Sequence, residues 1–119
     1  MYSEQYYYYF IQSDDNHSQT LDILTITDCL LATGLFKQID HQSFSNSENF
    51  AWVNITLVKA INHNFGLSAE NELNYINLIS IIGSKIAPES IYIQTFKNIA
   101  KQLNWRLYYE YDDDGNENT

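Results

Sequence analysis

The sequence is poor in several things at once. It has one cysteine, four glycines, six basic residues and no long apolar run. The single thiol, Cys29, excludes an internal disulfide and suits a reducing compartment. With so few glycines there is no phosphate-cradling loop and no dinucleotide fingerprint. Paired cysteines and a Ser-His-Asp signature are missing too, so no constellation nominates a reaction. Six bases against fifteen acids give a formal net charge of -9. Such a field repels nucleic acid and anionic membrane and attracts basic surfaces. The longest apolar stretches, around Leu30 and Ile81, fall far short of the roughly 20 residues that span a bilayer. The opening residues lack the basic-then-apolar pattern of a signal peptide. These absences together predict a soluble cytoplasmic protein, without cofactor or metal, that is not an enzyme and binds neither nucleic acid nor membrane.

What is present is apolar and aromatic. Hydrophobic residues make up 45% of the 119, and aromatics 15%, ten of them Tyr. That is too apolar for a disordered chain. A chain of this length buries roughly two-thirds of its unfolded surface and folds without a metal or bridge. Residues 1–119 are therefore expected to form one domain, with a short frayed polar tail at 116–119.

The most legible stretch is 88–115. Tyr92, Phe96, Ile99, Ala100 and Leu103 recur at three- and four-residue spacing, one face of an amphipathic helix. Pro88 and Glu89 suit its start. Trp105, Leu107, Tyr109 and Tyr111 then alternate with Arg106, Tyr108 and Glu110, the period of a strand. Only Asn104 separates them, so the helix must turn sharply and lie on the sheet its strand enters.

Elsewhere, residues 6–12 form an aromatic run of strand length. Residues 21–36 read as a largely buried helix with two stripes. One comprises Leu21, Leu24, Thr25, Asp28, Leu31 and Ala32; the other comprises Ile23, Ile26, Leu30 and Gly34. Ser18 suits its cap and Gly34 its stop. The rival reading makes 21–27 a strand, because Ile and Thr favour strands. Residues 37–49 and 60–73 are polar and read as loops. Residues 50–59 and 74–82 read as strong strands, the first with Val53, Ile55 and Leu57 on one face. The order strand, helix, strand, strand, helix, strand predicts an α+β fold of ferredoxin-like βαββαβ type. It would have a four-stranded antiparallel sheet with two helices on one face.

The sites follow from charge and exposure. Glu110, Asp112, Asp113, Asp114 and Glu117 put five of the fifteen acids in eight residues. Such a tip steers a basic partner, although charge runs are also commonly plain solvated tails. Its acids lack the alternation and the bidentate Glu of a calcium loop. Glu70 and Glu72 lie in the second long loop with His63, at a spacing that fits no metal pattern. Cys29 sits among Leu and Ile and reads as a small buried hydrophobe. The tyrosines of 6–9 and of 108–111 fall on strands expected to be neighbours. A sheet covered on one side only would leave some of them, with Trp52, on an open face of the kind that protein contacts use. The partner-binding residues expected are Glu110, Asp112, Asp113, Asp114, Tyr109, Tyr111, Glu70 and Glu72, with Trp105 as a further anchor.

Small size, acidity, the block FAWVNITLVK at 50–59 and the closing LNWRLYYEYD at 103–112 are similar in kind to bacterial immunity proteins. These neutralise the toxins of contact-dependent growth inhibition and related polymorphic toxin systems. The resemblance implies a non-catalytic inhibitor that binds a cognate, basic toxin, often a nuclease, in the cytoplasm. The alternatives are a nucleic-acid-charge mimic that inhibits a DNA-binding complex, or a small-molecule-binding regulatory domain.

Overall fold

The computed structural model describes residues 5–14, 18–59 and 74–110, with Glu110 described in its backbone alone. The chain runs β1 (Tyr6–Gln12), β2 (Leu21–Asp22), α1 (Ile23–Ala32), β3 (Phe36–Gln38), β4 (Ser43–Asn46), β5 (Val53–Val58), β6 (Tyr75–Ile76), β7 (Leu78–Ser84), α2 (Glu89–Leu103) and β8 (Arg106–Glu110). Six strands form one sheet in the order β3-β4-β5-β7-β1-β8, and β2 pairs with β6 in a second, two-stranded sheet. Every pairing in both sheets is antiparallel. The fold is therefore α+β, with two helices among the described residues.

Period-two alternation decides which residues meet across the main sheet. One register row reads Phe44, Ile55, Ile81, Tyr9 and Tyr109. All five are buried and belong to one cluster with Ile23, Ile26 and Leu30 of α1 and with Tyr92, Phe96 and Ile99 of α2. Both helices thus pack on the same face. Phe36 stacks on Phe96 at 5.7 Å between ring centroids, and Phe50 stands edge-on to Phe36 at 5.5 Å and to Tyr92 at 5.8 Å. Tyr92 lies directly over Gly83: a Cβ there would meet the ring at 2.8 Å, so the close approach requires glycine. The Tyr92 hydroxyl donates to the Trp52 carbonyl at 2.7 Å and accepts from the Ser84 N–H at 3.0 Å. It ties α2 to β5 and β7 together.

The reversal from α2 into β8 rests on Asn104, which adopts the left-handed conformation at φ 63°, ψ 33°. The Asn104 N–H donates to the Lys101 carbonyl at 3.1 Å, and the Trp105 N–H to the Ala100 carbonyl at 2.8 Å. This is a Schellman closure with Asn in place of the usual Gly.

The sheet has six strands, which corrects the expected four-stranded ferredoxin-like sheet. Strands β1, β5, β7 and β8, all legible in the sequence, are contiguous within it. The additional pair, β3 and β4, is a hairpin at the sheet edge made from 36–46, which takes Phe36 from the end of the expected helix and the rest from the run 37–49 expected to be a loop. Only Phe36 and Phe44 of its strands enter the core; the other strand residues are polar, and Ile39 between the strands is exposed. Such an edge hairpin satisfies its backbone through pairing while its composition imitates a loop.

Two other boundaries differ. α1 starts at Ile23 because the Asp22 carboxylate accepts from the Leu24 N–H at 2.8 Å, so Asp22 rather than Ser18 is the cap. The two residues before it are a short strand. The buried stripe is Ile23, Ile26, Thr27 and Leu30, while Leu24 and Leu31 are exposed. α1 ends just before Gly34, which sits at φ 75°. The segment 74–82 is not one strand, because buried Asn77 divides it. Its N–H donates to the Val58 carbonyl at 3.2 Å, and Ile76 and Ile79 both reach the core across the break.

Candidate functional site

The opposite face of the main sheet is the strongest candidate surface. Among the described residues no helix covers it. Its rows follow from the same register, displaced by one residue. Tyr108, Phe10, Ser80, Thr56 and Ser43 form one row. Tyr8, Ile82, Asn54, Ser45 and Lys37 form the next. The face therefore has two halves. The β1, β7 and β8 half carries Tyr8, Phe10, Ile82 and Tyr108, all half-buried. The β4 and β5 half carries hydroxyl and amide groups. Val58 and Leu78 pack against Phe10 in a small separate cluster at one end.

At the other end Tyr6 and Trp52 meet with ring centroids 5.6 Å apart. Trp52 is 47% exposed and Tyr6 36%. Ile86, in the turn leading to α2, is 95% exposed and lines a hollow with Tyr6, Ser84 and Lys85. Large rings held on a rigid sheet and left accessible are the kind of anchor that protein contacts use.

The expected site residues distribute unevenly. Tyr109 turns to the helix-covered face, stands edge-on to Tyr9 at 5.9 Å and is buried. Trp105 is buried with it. The β8 ring on the uncovered face is Tyr108. Glu110 pairs with Tyr8 through its backbone. Tyr111, Asp112, Asp113, Asp114, Glu70 and Glu72 lie outside the described residues. Their points of attachment do not. β8 ends at Glu110, so the chain leaves the sheet at the end that holds Tyr6 and Trp52. β5 ends at Val58, so the segment bearing Glu70 and Glu72 leaves at the opposite end. Phe10, Ile82 and Thr56 were not singled out from the sequence, although alternation with buried Tyr9, Ile81 and Ile55 marks them.

Charge is partitioned too. Six of the fifteen acids have described side chains, namely Asp14, Asp22, Asp28, Asp40, Glu48 and Glu89. They match the six bases, all described, so the described body is formally neutral. The whole net charge of -9 belongs to the other nine acids, five of them from Glu110 onward.

Other reactive groups have local explanations. Cys29 is half-buried, points its thiol at Gln102 Oε1 at 3.4 Å, and burial pushes its pKa up, which keeps it protonated. Tyr7 is raised first by burial and then by the Glu89 carboxylate, and the Lys85 ammonium lies 5.5 Å from its ring centre. Among the described residues no three His, Cys, Asp or Glu side chains gather as a metal site, and no helix is long and apolar enough to cross a membrane. No protein-family model, no curated protein and no solved structure matches the chain.

Proposed function

We propose that the protein is a non-catalytic inhibitor of immunity type that binds and neutralises a basic protein, a cognate toxin. The observation that carries this reading is a sheet face that no described helix covers, with accessible Trp52 and Tyr6 at the end where β8 reaches Glu110. Aromatic anchors supply contact area and nearby carboxylates supply steering, a division of labour common at protein interfaces. In this reading Asp112, Asp113 and Asp114 accelerate encounter, while Trp52, Tyr6 and Tyr108 hold the complex. A charge mimic needs carboxylates spread over the folded surface, and the described residues carry six, balanced by six bases.

The test begins with capture from the native host at low and at high salt, and identification of a basic protein lost at high salt. Association of that purified protein is then timed. Reversing Asp112, Asp113 and Asp114 to Lys is expected to slow association and flatten its salt dependence. Trp52→Ala is expected to speed dissociation. Unchanged association after charge reversal removes the acidic run from the account, and unchanged dissociation after Trp52→Ala removes the aromatic end.

A further inference from the structure

A second site lies at the other end of β8. A concavity of about 420 Å³ opens between the last turns of α2 and the start of β8. Its rim carries Lys97, Lys101 and Arg106, and its floor is Ala100, Trp105 and Leu107. Half of the six bases in a strongly acidic chain therefore surround one hollow. The rim residues are exposed and the floor residues buried. Among the described residues none of the three cationic side chains forms an ion pair or hydrogen bond.

Ordinary structural causes account for part of this. Lys101 complements the negative end of the α2 dipole. They do not account for Lys97, a full turn earlier, or for Arg106, which stands on the strand. Lys97 and Lys101 are also like charges at i, i+4 spacing, which repel each other. The repulsion is removed when an anion sits between them. The helix end does not compete for that place, because the Ala100 and Lys101 carbonyls already accept from Trp105 and Asn104. The acidic run does not begin there either: Glu110 is four residues along β8, about 14 Å from Arg106 at the usual strand rise.

We propose that this hollow binds a small amphipathic anion, a carboxylate or phosphate carried on an apolar body. The anionic group pairs with Lys97, Lys101 and Arg106, and the apolar body rests on Ala100, Trp105 and Leu107. Its size lies within the range of small-molecule sites, which combine an apolar lining with a few convergent polar groups. The site is separate from the aromatic end of the sheet and does not depend on the toxin-binding reading.

The test is a titration of the full chain followed by amide and indole NMR shifts at constant ionic strength. The probes are benzoate and phenyl phosphate, with acetate and inorganic phosphate as counterparts. Saturable shifts are expected at Lys97, Lys101, Arg106 and the Trp105 indole. The ring-bearing probes are expected to bind about ten-fold tighter than their counterparts, from burial of the ring. The better of benzoate and phenyl phosphate identifies the anionic group. The double substitution Lys97→Gln with Lys101→Gln, and separately Arg106→Gln, should each weaken binding about ten-fold, because charge-assisted hydrogen bonds are lost. Lys37→Gln should leave it unchanged. All these side chains are exposed, and thermal melts check that the variants stay folded. Shifts that grow without saturation at all six bases would overturn the proposal. So would equal affinity for ring-bearing and simple anions, or binding that survives the double substitution.

Discussion

Two adjacent register rows of one sheet face opposite ways. Phe44, Ile55, Ile81, Tyr9 and Tyr109 lie beneath two helices and are buried. One residue along, Ser43, Thr56, Ser80, Phe10 and Tyr108 lie on the uncovered face and are half-buried. The backbones are the same, and so are the hydrogen bonds that join them. What differs is the layer above. The covered row is apolar apart from the Tyr9 and Tyr109 hydroxyls, and a buried polar group needs a partner, as the Tyr9 hydroxyl finds in the Glu89 carboxylate at 3.4 Å. The uncovered row is free to mix hydroxyls with rings, and it does so unevenly, aromatic toward β8 and polar toward β4. The difference shows that core packing and surface exposure alternate residue by residue along the same strands.

That separation can be tested within single strands. The largest contrast is expected at neighbouring positions of β5. Ile55→Ala should cost about 2–5 kcal/mol by leaving a cavity, whereas Thr56→Ala should stay within about 1 kcal/mol. Urea melts of the two variants measure it, and equal costs would mean that the uncovered face is packed as tightly as the other. Gly83→Ala probes the tightest contact of the covered face, where the added methyl has to displace the Tyr92 ring. About 1–3 kcal/mol is expected from overpacking, and a neutral result would show that α2 can lift from β7.

An effect of similar size is expected for Tyr92→Phe. It keeps the ring but leaves the Trp52 carbonyl and the Ser84 N–H without their shared partner, for a cost of about 1–3 kcal/mol. Trp52 is the residue that spans the comparison, since its backbone serves the covered side and its ring the uncovered one. Tyr92→Phe should therefore also broaden the Trp52 indole resonance, and an unchanged indole would separate the two faces completely.

The smallest effect is at the added hairpin. Asp40 is held below the usual carboxylate range, first by the Gln42 N–H, which donates to its Oδ1 at 2.9 Å, and then by the Ser43 hydroxyl and N–H and by His41. A lowered folded pKa means that this contribution is complete above the ordinary carboxylate range and is lost as pH falls through the folded value. The Gln42 amide should accordingly titrate below an unstructured Asp, and Asp40→Asn should abolish that step. A Gln42 amide that titrates like an unstructured Asp would detach the turn from the carboxylate.

Much of the fold is legible because it is local. The bounds of β1 follow from one aromatic run, and those of α2 and β8 from a change of period at Asn104. The inward set of β5 follows from alternation alone. The hairpin of β3 and β4 is not legible, because Ser, Asn and Gln on an edge strand look the same as in a loop until a partner strand is in place. The split of 74–82 at Asn77 is hidden for a related reason. A polar residue within an apolar run marks a break only once Val58 supplies its acceptor and β2 supplies a separate partner for β6. At the candidate site, alternation indicates that half of the tyrosines face outward, and Tyr8 and Tyr108 do. Tyr109 shares the face of Trp105 and Leu107 in that alternation, and the register of β8 against β1 sets it opposite buried Tyr9.

From residue order alone come the things that depend on neighbours in the chain: periods, caps, turns, the excess of acid and the clustering of five acids from Glu110 onward. They come from it because backbone sterics and side-chain spacing act within a few residues. Only the tertiary structure decides how many strands share the sheet, that both helices take one face, and that Trp52 meets Tyr6. Those outcomes depend on register between segments far apart in sequence. No local pattern encodes such a register, because it is chosen by which pairing buries the most apolar surface with every backbone group satisfied.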